Sequence, residues 1–180
     1  MLLSRRIAIG GIAVALNLVF LTVSFLNPVA DFALYSMTSL CIALVVCVAG
    51  FRTGWIAYAT TSLLVFLVLG PLHALPFAVL FGIFPLLKGL LESRLSRRVA
   101  LVAKILYFSS LLAAGFLLFR TEFETLRMVG TLQRFSEGLS DDAVFLLSGG
   151  IALVVLMVYD YALTLMIHTF GDRLRKALRP

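Results

Sequence analysis

The sequence has little charge and almost no cysteine. Of its 180 residues only 13% are charged, against about 25% in an ordinary soluble domain. With 62% of the chain hydrophobic, there is too little polar material to cover a water-facing surface, so a soluble fold is excluded. The two cysteines, Cys41 and Cys47, stand six apart in one apolar run. On a helix that is about 9 Å of rise, beyond the roughly 7 Å Cα separation a disulfide tolerates. Both are read as packing residues. There is no Cys-x-x-Cys and no Cys/His cluster, so no metal site is expected. A Walker A lysine loop, an HExxH and a GxSxG are also missing, and the Ser109-Ser110 pair has no evident base. ATP hydrolysis by the chain itself is therefore not expected, nor is a catalytic residue or a cofactor. No strand-like alternation runs through the sequence, which argues against a membrane barrel.

What the chain does have is long uncharged runs, over residues 7–30, 32–51 and 53–87. A helix needs roughly 20 apolar residues to cross the hydrocarbon layer. The third run is too long for one crossing, and Gly70-Pro71 divides it, since such a pair breaks a helix. Two further runs are interrupted only by Lys104 and only by Asp160. The reading is an all-α membrane protein in one domain, with six spans at about 7–26, 32–50, 54–70, 73–92, 99–119 and 143–170. The segment 120–142 is too polar to cross. Met128, Leu132, Phe135 and Leu139 recur there at helical spacing, which predicts an amphipathic surface helix.

The basic residues then make sense as a topology signal. With the N-terminus inside, twelve of the fifteen lysines and arginines fall on the inner side, and only Arg120, Arg127 and Arg134 lie outside. Positive loops stay cytoplasmic, so both termini are expected in the cytoplasm and the basic balance is no nucleic-acid footprint. The opening SRRIAI superficially resembles a twin-arginine export signal. No Ala-x-Ala site follows Leu26, and we expect the first helix to be retained.

Within that helix Gly11 and Ala15 are four apart, with Ala8 three residues earlier on the same side. Such small-xxx-small patches let helix backbones approach closely in lipid. Two readings are open: packing inside the bundle, or a docking face for another membrane subunit. Asp160, within Tyr159-Asp160-Tyr161, is the clearest intramembrane charge, and Thr164 follows one turn later. Intramembrane charges need a reason: depth makes Lys104 a candidate to pair with Asp160, and the functional alternative is a proton relay or a cation site. The fourth span, HALPFAVLFGIFPLLKGLLE, carries Pro76 and Pro85. Each removes a backbone donor and bends a helix, and bent membrane helices are tolerated where they pack on protein or line a cavity.

Six helices with both ends inside, the run RRIAIGGIAVALNLVF with Gly11 and Ala15, and the short outer turn NPVAD together resemble the S component of energy-coupling factor (ECF) transporters. These are substrate-capture subunits of vitamin and micronutrient importers in the bacterial plasma membrane. The resemblance implies that Ala8, Gly11 and Ala15 dock on a transmembrane coupling subunit, and through it on ATP-hydrolysing subunits. Gly11 stands where the family's pattern has alanine. A water-soluble nutrient would then be captured from outside, where the topology puts Asn27, Asp31, Tyr35 and His73. Tyr35 is expected to stack on a flat ring with its hydroxyl turned outward. The alternative is a polytopic scaffold, as in MreD-like cell-shape proteins, which needs a docking face but no solute site.

Overall fold

The computed structural model describes residues 3–127 and 141–177. Among these, every element is helical. In chain order they are α1 (Leu3–Leu26), α2 (Asp31–Ala49), α3 (Phe51–Leu69), α4 (Pro71–Arg94), α5 (Arg97–Arg127) and α6 (Asp141–Ala177). All six contain a stretch long and apolar enough to cross a membrane, which in α5 is Arg98–Gly115 and in α6 Gly149–Met166. The physical cause is plain: in lipid the backbone must satisfy its own hydrogen bonds, and a helix does so within a single segment. The first four spans fall close to their predicted bounds. The fifth apolar stretch, Arg98–Gly115, is no longer than predicted, but the helix that carries it runs on through Arg127. Residues 120–127 of the predicted surface segment thus continue α5, and its apolar stripe from Met128 to Leu139 lies outside the described residues.

The chain divides into two compact units, Met1–Arg94 with Tyr161–Pro180, and Leu95–Asp160. In the first, the helices are joined by very short turns, which makes chain neighbours antiparallel. The α1–α2 link is a single 3-10 turn, Pro28–Ala30. The other two links are single glycines, Gly50 and Gly70, with φ of 97° and 85°. That left-handed backbone is open to glycine at little cost. The bundle of α1 to α4 therefore has two ends. One carries Gly50; the other carries the Asn27–Ala30 turn and Gly70.

Between the Gly50 end and the middle, the interior is apolar. Ala13 of α1, Ile42, Val45 and Ala49 of α2, Ala57 of α3 and Leu86 of α4 form one buried cluster. Alanines on α1 and α3 let the helices approach, and Leu86 and Ile42, both at 0% exposure, fill what remains.

Helix α4 is irregular. It runs as α-helix over Pro71–Pro76, as π-helix over Phe77–Gly82 and as α-helix again over Ile83–Arg94. Its prolines explain the break. Pro76 has no amide to donate, and the Pro85 ring crowds the carbonyl four residues back. The amide of Phe77, which a regular helix would direct to His73, goes to Ala74 instead. The neighbouring helices supply replacements: the Tyr35 hydroxyl donates to the His73 carbonyl at 2.9 Å and the Tyr58 hydroxyl to the Ala78 carbonyl at 2.9 Å. Gly82 admits the Tyr58 ring, since a Cβ there would sit 2.8 Å from Tyr58 Cδ2 and 2.9 Å from the Phe77 carbonyl oxygen.

Candidate functional site

At the Gly70 end, three chain segments bring polar groups together. Helix α1 ends as the Asn27 amide closes back on the Val23 carbonyl at 2.9 Å. Asn27 itself is exposed on the turn. Asp31 opens α2, where a carboxylate favours the helix dipole, and it accepts a hydrogen bond from the Ser24 hydroxyl. One turn on, Tyr35 is buried at 6% exposure. Its ring lies 5.2 Å from that of Phe81, centre to centre. Its hydroxyl donates to the His73 carbonyl of α4. The His73 imidazole stands edge-on to Phe25 at 4.9 Å. Asp31, Tyr35 and His73 are thus linked through α1, α2 and α4, and Asn27 stands beside them on the turn.

One turn deeper, the interior holds uncharged polar groups. Asn17, Thr38, Ser39 and Thr61 are all at 0% exposure. The Thr38 hydroxyl donates to the Tyr35 carbonyl at 2.6 Å. Neither polar atom of Asn17 has a hydrogen-bond partner, and the same holds for the hydroxyls of Thr61 and Ser62. Sequence reading passed over these residues because a search for charge does not stop at an amide or a hydroxyl. The signal was available: Asn17 is the one carboxamide between Arg6 and Asn27.

The small residues of α1 sort into two sets. Gly10 and Ala13 face into the bundle and are buried. Ala8, Gly11 and Ala15 are exposed, and a Cβ added at Gly11 would meet nothing within 4 Å.

Charge inside the helices is partnered. Within the second unit, Lys104 Nζ lies 3.0 Å from Asp160 Oδ2 and 3.2 Å from Oδ1, with side chains 8% and 16% exposed. Within the first unit, Lys88 is 2% exposed. It donates to the Thr164 hydroxyl at 2.5 Å and approaches Glu92 at 3.7 Å. The charge count that sets the topology takes Lys88 as one of its twelve inner-side cations, without regard to burial. The helix register instead turns it into protein, one turn before the half-exposed Glu92. Among the described residues no group of three His, Cys, Asp or Glu side chains could hold a metal.

Comparison with protein-family models, with curated proteins and with solved structures finds no match.

Proposed function

We propose that this chain is a substrate-capture subunit of an ECF-type importer, taking a small water-soluble nutrient from the outer face of a bacterial plasma membrane. The observation that carries the reading is the convergence of Ser24, Asp31, Tyr35 and His73 at the Gly70 end, against a helix broken into three parts. Irregular helices at membrane depth recur where solutes bind, because freed backbone groups and polar side chains meet there. Both termini lie in the cytoplasm on this reading, since that places most lysines and arginines inside. The Gly70 end then faces out. The exposed patch of Ala8, Gly11 and Ala15 is the docking surface for the coupling subunit, which in turn engages the ATP-hydrolysing subunits. Within the first unit the described residues pack through Gly10 and Ala13 instead, which leaves the patch exposed there.

The test is native mass spectrometry of the purified chain for a co-purified small molecule, followed by binding measurements on Asp31→Ala. Loss of binding in a folded variant is the expected outcome. Failure to bind any member of a nutrient panel would favour the scaffold. In parallel, Gly11→Leu is expected to abolish co-purification with a co-expressed coupling subunit and to leave the chain folded.

A further inference from the structure

The apolar cluster fixes the register of the first three helices. Ala13, Ile42 and Ala57 share it. One helical turn toward the Gly70 end on each helix brings Asn17 from α1, Thr38 and Ser39 from α2, and Thr61 from α3. All four are fully buried. Three independent helices therefore place neutral polar side chains in one layer directly above an apolar one. A layer made only to pack would continue the alanines and isoleucine below it.

The layer is also unfinished. A carboxamide offers an acceptor oxygen and two N–H donors. In Asn17 both ends are buried without a partner, and the Thr61 hydroxyl is in the same position. Buried polar groups are nearly always bonded, and an exception calls for a physical reason. The cost of leaving a donor and an acceptor desolvated is repaid when a ligand completes them.

We infer that this layer binds the uncharged part of the captured solute, and that the solute presents an N–H beside a C=O or ring nitrogen: a carboxamide, a lactam or an aminoheterocycle edge. The inference rests on the capture reading. The class follows from Asn17, whose side chain can meet such an edge with two parallel hydrogen bonds, as asparagine does on the adenine edge. Charge is excluded by the same inventory. The layer offers amides and hydroxyls with no carboxylate or cation among them, so an ion would sit in low dielectric without compensation. Thr38, already bonded to the Tyr35 carbonyl, connects the layer to the Asp31–Tyr35–His73 group one turn above. A solute with a neutral head and a polar tail could span both.

The experiment uses the full chain in nanodiscs, with thermal shift and native mass spectrometry as readouts. The probes are nicotinamide, uracil and adenine, with nicotinate as the charged counterpart of the first. At least one neutral probe binds and nicotinate does not. Asn17→Leu weakens that binding by about tenfold or more, and Thr61→Val weakens it in the same direction. Without ligand, Asn17→Leu melts no lower than wild type, because it removes an unpartnered buried amide. A lower melting temperature of ligand-free Asn17→Leu would make the amide a structural partner and overturn the inference. Binding that survives both substitutions, or that is confined to charged solutes, overturns it while the capture reading stands. If the wild-type chain binds no solute of any charge, both fall.

Discussion

The chain buries polarity in two contrasting ways. In Leu95–Asp160 the buried groups are ions, and they are joined: Lys104 grips both oxygens of Asp160. In the α1–α3 bundle the buried groups are neutral, and several are left open, Asn17 above all. The difference follows from solvation. An isolated ion in a medium like lipid costs so much that it must pair or lose its charge. A neutral amide costs about 1–3 kcal/mol by protein mutational data, which a fold can carry if the group has another use. Unpaired polarity inside this protein is therefore informative where it is neutral, whereas paired charge reads first as architecture.

The sharpest way to break this contrast is Asp160→Asn. It takes the opposing charge away from Lys104 and should cost about 3–5 kcal/mol, read as a loss of stability in detergent unfolding. Adding Lys104→Met should recover a large part of that loss. A small effect of the single substitution would mean the pair is not what holds these groups in lipid. Next in size is Ile42→Asn, which moves an amide one turn down, into the apolar cluster. Lost burial and an unmet amide together should cost about 3 kcal/mol; a cost near zero would show that Asn17 tolerates its site for no special reason. Tyr35→Phe should cost about 1 kcal/mol, since it leaves the His73 carbonyl unmet and keeps the ring. Smallest is Glu92→Gln. Glu92 approaches Lys88 at 3.7 Å with 45% of its side chain exposed, and exposed pairs at helical spacing contribute about 0.5 kcal/mol or less. A large loss there would move the Lys88 group into the same class as Lys104 and Asp160.

Much of the helical layout was legible because it rests on chain-level quantities. Uncharged run length marks a span, and Gly70-Pro71 marks the division of the longest run. Lys104 and Asp160 stood out because any charge in such a run does. What could not be read was which side of a helix meets another. Ala8, Gly11 and Ala15 interleave with Gly10 and Ala13, and both sets have the spacing of a packing face. Only the neighbours decide that the second set is buried. Lys88 illustrates the same gap: four residues from Glu92, it looks like a solvated end of the span, and only the rotation of α4 turns it inward. Pro76 and Pro85 announced a disturbance, but not that it takes the form of a π segment repaired by hydroxyls from α2 and α3. Asn17 was missed for a simpler reason. Its lack of a partner is a property of three helices together, and no single stretch of chain contains it.

The π segment of α4 also sets a phase. A helix advances about 100° per residue, and a π turn absorbs one residue more than an α turn over nearly the same length. Pro71–Pro76 and Ile83–Arg94 are therefore two helices on one axis whose rotational settings are decoupled. His73 can aim at Phe25 while Leu86 and Lys88 aim where their own neighbours require. Deleting one residue between Phe77 and Gly82 would regularise the helix and leave its two ends facing nearly as they do, whereas the same deletion in either α-helical part would swing one end about 100° relative to the other. The π segment is thus the one stretch of α4 that can lose a residue without re-aiming either end, while length changes in the α-helical parts act on direction before they act on reach.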